Sequence, residues 1–303
     1  MNKVARNIVE ADFGLFFKDP SKHLPKRMLK RKFAVNDPSL AGFKHPLIPE
    51  TDENYVFRPE ILKALLPYIT SGRGQVPWVF GPHGTGKTSL IAQLAARFGA
   101  PLYDYYVGPR TEVFDMTVMM MPNKEGGMEP LPGVVIKAMC EGAWLVINEF
   151  DLLDPAEQKM LNSIIEERRY TVPQTGITHT ADKNFRLFVT ANTNGQGDSS
   201  GSYLNVEASC SSVGDRFFFV EVDYLKEEEE RAVLIALARE LAKGQFQDED
   251  DIEADVELSK LMIDKMLTYA ENVRESYKAH IGLKSTAKQG LPAQSLPEQT
   301  KSG

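Results

Sequence analysis

Cysteine is scarce in this 303-residue chain: there are two, Cys140 and Cys210, far apart in sequence. Two thiols so separated offer no disulfide framework. Cys140 falls in VVIKAMCEGA, a helical pattern in which a small thiol packs as an apolar side chain. Histidine is also sparse, five in all, with no pair at the spacing of zinc ligands, so no transition-metal site is expected. No apolar run approaches the about 18 residues of a membrane span. The N-terminal MNKVARNIVEADFG mixes charges without an apolar segment and does not read as a secretory signal. A cytoplasmic location away from the membrane is therefore expected. Positive charge is in deficit, 35 Lys and Arg against 42 Asp and Glu for a net charge of −7, which weighs against a general nucleic-acid binder. The local exception is KHLPKRMLKRK (22–32), with QDEDDIEADVE (247–257) its acidic counterpart. Both read first as solvated surfaces, and only second as docking sites for a charged partner.

What is present is an ordinary globular composition, 42% apolar and 25% charged, long enough for one or two domains. Residues 1–50 alternate charge clusters with prolines and read as an N-terminal extension. From Tyr55 the texture changes: FRPEILKALLPYITSG is an amphipathic helix ended by Gly72, and VPWVF (76–80) is a buried strand. TSLIAQLAARFG, GVVIKAMCEG and DPAEQKMLNSIIEERR read as helices. PLYDYYV, AWLVIN, FRLFVTAN and RFFFVEV read as strands. Five apolar strands alternating with helices predict an α/β three-layer fold around a five-stranded parallel sheet. Two segments interrupt the alternation, MTVMMMPNKEGGMEPLPG (116–133) and YTVPQTGITHT (170–180), and both read as inserted hairpins. Packing is the expected role of the methionines in the first. The nucleotide-binding core is expected over 51–223, a partial helical lid over 224–283, and a polar disordered tail over 284–303.

The chemistry concentrates after the first core strand. GPHGTGKT, Gly81, Pro82, His83, Gly84, Thr85, Gly86, Lys87 and Thr88, fits Gly-x-x-x-x-Gly-Lys-Thr between a buried strand and a helix. Glycines let such a loop curl with its backbone N–H groups pointing inward, and the following helix adds its positive end. Lys87 would reach the terminal phosphates of ATP and the Thr88 hydroxyl would ligate Mg²⁺. His83 reads as a spacer. Some sixty residues on, AWLVIN ends in Asn148 followed by Glu149. Asn148 stands where a magnesium-bound water would be held, and Glu149 where the attacking water would be polarised.

Taken in order, DENYVFRPE (52–60), GPHGTGKT, INEFD, FRLFVTANTNGQGDSSGSY (185–203) and GDRF (214–217) make the chain resemble the AAA+ ATPases. The resemblance is to their MoxR-type group, and most of all to the AAA+ subunits of aerobic cobaltochelatases. It covers about residues 50–225. It implies a γ-phosphate-sensing role for Asn192, and for Arg216 the role of an arginine reaching into a neighbouring subunit's site. It further implies a ring, hexameric in this group, and a partner with a von Willebrand A type domain. Two departures stand out. Asn148 replaces the Asp of relatives, and no Ser-Pro-Arg-like segment supplies a lid arginine. Two functions are thus expected to compete: Mg²⁺-dependent ATP hydrolysis that remodels or activates a partner, and a nucleotide-gated assembly module that turns over slowly or not at all. Engagement of nucleic acid by the basic segment ranks last.

Overall fold

The computed structural model describes residues 7–37, 39, 45–124, 126–173, 175–195, 197 and 211–289. The chain divides into two compact units, Met1–Gly197 with Asn205–Val233, and Asp198–Leu204 with Leu234–Gly303. Cys210 and most of the ANTNGQGDSSGSY run lie outside the described residues.

The first unit begins with an antiparallel hairpin, β1 (Ile8–Ala11) and β2 (Phe33–Asn36), joined through the short helices α1 (Pro20–His23) and α2 (Lys26–Leu29). This segment reads in sequence as an extension, yet its aromatic residues enter the main core. Phe13, Phe16 and Phe33 are buried together, and Phe16 and Phe33 pack on Phe98 of the main core with ring centroids 6.2 and 5.7 Å apart. Spacing hid this role, because the aromatics are scattered among charges and prolines with neither a helical nor a strand period.

The remaining elements follow the expected alternation. Helix α3 (Pro59–Ser71) leads into β3 (Val76–Phe80), followed by α4 (Lys87–Arg97), β4 (Leu102–Tyr106) and α5 (Val113–Thr117). A hairpin of β5 (Val118–Pro122) and β6 (Met128–Pro132) precedes α6 (Val134–Glu141) and β7 (Trp144–Asn148). Helices α7 (Pro155–Met160) and α8 (Asn162–Glu167) then lead to a second hairpin, β8 (Arg169–Thr171) and β9 (Thr178–Thr180), and to β10 (Arg186–Ala191). Helix α9 (Ser211–Gly214) and β11 (Phe217–Glu221) close the set. The segment expected as one helix over 154–169 is thus two, meeting at Leu161.

The sheet order is β11-β3-β10-β7-β4 and every pairing is parallel. The sequence of each strand matches its place. Central β7 and β10 are buried at every position, whereas the edge strand β4 alternates through LYDYY. A strand covered on both faces runs mostly apolar, with Asn148, Arg186 and Thr190 as buried polar exceptions in these two, and an edge strand need not. Trp78 in β3 is fully buried, edge-on to Phe150 and Phe217 at 5.1 and 5.2 Å, and its indole N–H donates to Thr193 O at 2.8 Å. That bond ties the segment after β10 to the strand feeding the glycine-rich loop at 81–86.

Of the methionines in the first hairpin segment only Met116 packs, fully buried, while Met119, Met120 and Met121 face solvent. A two-stranded ribbon projecting from the body has no second layer to cover it. In the second unit, the later part of α10 (Glu227–Gln245) and the long α11 (Glu249–Gln289) enclose a small core of Ala242, Ile252 and Val256. Helix α11 continues through 284–289, the first part of the expected disordered tail; residues 290–303 lie outside the described set.

Candidate functional site

The site gathers at the carboxyl ends of β3, β7 and β10, where an open parallel sheet leaves a crevice. At the exit of β3 the chain must turn at once beneath β11. Gly81 does this at φ 151°, with Val222 O only 2.0 Å from where a Cβ would sit. Gly86, at φ 79°, opens α4 with its backbone in the left-handed region. Between them the loop is braced by its own groups: Thr85 Oγ1 donates to Pro82 O at 2.9 Å, and Lys87 Nζ donates to Gly81 O at 2.8 Å and Pro82 O at 2.9 Å. Gly84 sits at φ 78° with open space around it. The His83 side chain is exposed, and its carbonyl accepts a 3.1 Å bond from the Tyr224 hydroxyl.

Lys87 also reaches across to β10, donating to Asn192 Oδ1 at 3.1 Å, and Asn192 Nδ2 in turn donates to Glu149 Oε2 at 2.8 Å. One amide therefore bridges the loop lysine and the carboxylate. Glu149 follows β7 at φ 60°, a left-handed conformation that disfavours a residue with a Cβ. Strain of this kind concentrates where a side chain must be aimed. Burial pushes the Lys87 ammonium below its usual range, opposed by the charges of Glu149 and Asp151.

Asn148 lies beside this chain of contacts and is 1% exposed. Its Oδ1 accepts from Thr88 Oγ1 at 2.7 Å and from Thr190 Oγ1 at 2.8 Å, while its Nδ2 donates to the Asp104 carboxylate. Asp104 belongs to β4 in register with Val146, two residues before Asn148, so both side chains issue from one face of the sheet. Thr88, Asn148, Glu149, Asn192 and Lys87 are thus brought together.

Arg216 is not among them. It sits at the amino end of β11, where its carbonyl accepts from Val76 N at 2.9 Å, and Val76 begins the strand whose other end feeds the glycine-rich loop. Its Nε lies 3.0 Å from Glu166 Oε1. It lines a separate cavity of about 520 Å³ with Arg73, Gln75 and Arg168.

Several contributors are assigned no role of their own by the sequence. Asp151 is 2% exposed, and its Oδ2 accepts from Asn192 N at 3.0 Å, Thr193 N at 2.9 Å and Thr193 Oγ1 at 3.0 Å, clamping the end of β10. Burial drives its carboxyl up despite those bonds. Next to the loop, Tyr55, Val56, Gly84, Leu90, Tyr224 and Leu225 line a cavity of about 300 Å³. The segment before α3 is stapled along α4, with Arg97 Nη2 donating to Asp52 O at 2.7 Å and Gln93 Oε1 accepting from Asp52 N at 2.9 Å. DENYVFRPE was visible as a segment, but its place beside the loop depends on these cross-chain bonds.

The five-stranded parallel sheet and this site match the P-loop α/β fold of AAA+ domains, and the chain is similar to proteins of that class. Residues 78–204 match the family "AAA domain (dynein-related subfamily)". Among curated proteins the chain is similar to the aerobic cobaltochelatase subunit CobS of Sinorhizobium, 28% identical over 195 residues, covering 62% of this chain and 58% of that protein. It is also similar to midasin of Dictyostelium discoideum, 32% identical over 124 residues, covering 39% of this chain and 2% of midasin. Midasin of Giardia intestinalis is 29% identical over 150 residues, covering 49% of this chain and 3% of that protein. The chain thus spans little more than half of the cobaltochelatase subunit and a small fraction of midasin. Among the described residues, no helix is long and apolar enough to cross a membrane.

Proposed function

We propose that the chain binds Mg²⁺-ATP at residues 81–88 and hydrolyses it within a ring of copies, using the cycle to remodel or activate a partner protein. The observation that carries this reading is the bridge from Lys87 through Asn192 to Glu149. A terminal phosphate entering the loop would compete with the carbonyls of Gly81 and Pro82 for Lys87, and Asn192 stands where it can respond to that phosphate and reorient Glu149. Glu149 then polarises the attacking water as general base. The cavity bounded by Tyr55, Leu90 and Tyr224 would take the base.

The residues present also fit a magnesium ion. Hard oxygen donors converge at the Thr88 hydroxyl and the Asn148 amide oxygen, and magnesium is ordinarily held by few protein oxygens together with phosphates and water. Thr88 would hold the ion and Asn148 one of its waters; when bound, the ion neutralises phosphate charge. Arg216, remote from its own chain's loop, is in a position to serve a neighbour's site, where such an arginine contributes about 10³ to 10⁵ in rate. By likeness to the cobaltochelatase subunit, the finer proposal is a hexamer acting on a von Willebrand A type partner in metal insertion.

The test is steady-state ATPase across protein concentration for the wild type and Glu149→Gln. Activity should rise with assembly and vanish in the variant; equal rates for the two proteins would sink the motor reading. A second reading, a nucleotide-gated assembly module with slow turnover, is favoured by the uncharged Asn148. ATP-dependent assembly without Glu149-dependent hydrolysis would support it.

A further inference from the structure

We propose that Asp104 supplies the negative charge that position 148 lacks, acting as the positioning carboxylate of the magnesium end of the site. The inference rests on reading the loop as a Mg²⁺-ATP site. An amide has two unlike ends, and which one faces Thr88 decides whether a metal-bound water meets an acceptor or a donor. A carboxylate only accepts, so Asp104 requires the Asn148 NH₂ on its own side. The oxygen is thereby turned toward the Thr88 and Thr190 hydroxyls, 2.7 and 2.8 Å away. Among the described residues, Asp104 is the partner on this side of the amide that opposes the flipped orientation.

Charge follows the same division. Asn148 is 1% exposed, and an ionised group there would be taken out of water. Asp104 sits at an exposed position on the edge strand β4, where its charge stays partly hydrated, although burial at the Asn148 contact pushes its carboxyl above the usual range against the bond from that amide. The pair as found holds one carboxylate and one amide in direct contact. Two carboxylates there would repel, and two amides would leave this end of the site without a negative charge from either position. Asp104 is thus matched to Asn148, and its charge reaches the ion through one intervening side chain.

The experiment is calorimetric titration of ATP into the full chain, once in EDTA and once in excess Mg²⁺, for wild type, Asp104→Asn and the exchange Asp104→Asn/Asn148→Asp. Mg²⁺ should tighten ATP binding in the wild type. Asp104→Asn should lose about 10- to 100-fold of that tightening, the usual cost of removing a carboxylate that supports a metal ligand, with the affinity in EDTA unchanged. The exchange, which returns one carboxylate to the pair, should recover the tightening. A merely structural role would lower the affinity in both buffers alike. Full Mg²⁺ tightening in Asp104→Asn, no tightening in the wild type, or a folded exchange variant that fails to recover it would each overturn the inference and leave ATP binding standing. A wild type that binds ATP in neither buffer overturns the underlying reading as well. Asp104 is exposed on an edge strand, so the single variant should fold and decides the matter alone if the exchange does not.

Discussion

Replacing Asn192 by alanine removes the bridge on which the proposed mechanism turns. Two hydrogen bonds disappear, the 3.1 Å bond from Lys87 and the 2.8 Å bond to Glu149, each with a charged partner. Lys87 keeps its two loop carbonyls, so its position survives. Glu149 loses the contact that holds it at the end of β7. A hydrogen bond to a charged group contributes about 1.5–3 kcal/mol, so turnover should fall about 10- to 150-fold with ATP affinity little changed. Asn192→Asp sharpens the test. It keeps an acceptor for Lys87 but sets a second carboxylate against Glu149, so it should be as slow as the alanine variant. Saturation kinetics of phosphate release, with fluorescent-nucleotide binding on the same preparations, give both quantities. If both variants turn over at the wild-type rate with binding intact, the bridge has no catalytic role and the reasoning fails.

Three further outcomes follow from the same geometry. Gly81→Ala should cost about 1–3 kcal/mol from backbone strain alone, with a further penalty because its Cβ would meet Val222 O at 2.0 Å. Loss of nucleotide binding and a melting temperature lower by roughly 2–10 °C are expected; a variant as stable as the wild type would contradict it. Arg216→Ala should leave ATP binding intact but remove about 10³-fold or more of any assembly-dependent ATPase, while Glu166→Ala, which removes the exposed partner of a largely buried arginine, should lower the melting temperature only modestly and leave that ATPase in place. Asp151 has a folded-state pKa raised by burial, so its contribution to stability is full below the ordinary carboxylate value of about 3.9 and declines as pH rises through the raised value. The melting temperature of wild type minus that of Asp151→Asn should therefore fall as pH rises from about 4; an unchanging difference would refute this.

Much of the fold was legible in the sequence because it is written in local patterns. VPWVF, AWLVIN and FRLFVTA each carry an apolar run of the kind a strand covered on both faces requires, whereas the edge position of LYDYY came only from the sheet order. The tight turn at 81–86 was legible because its glycines answer a backbone requirement that falls within a few residues. The two inserted hairpins were equally visible, since a turn signal between short strands is a local feature.

The remainder depended on which elements lie side by side, and no period in the chain encodes that. The aromatics of residues 13–33 carry no pattern, so only the packed core reveals that Phe16 and Phe33 meet Phe98. Met119, Met120 and Met121 are as apolar as Met116, and only their place on a projecting ribbon leaves them exposed. The same holds within the site. The family resemblance marked Asn148 as a departure from the expected pattern and Glu149 as the expected catalytic carboxylate. Tertiary structure alone set Asp104 against that asparagine and Glu166 against Arg216. A chemical group is specified by one codon, but its electrostatic surroundings come from neighbours dozens of residues away, brought within hydrogen-bond reach by sheet order and helix packing.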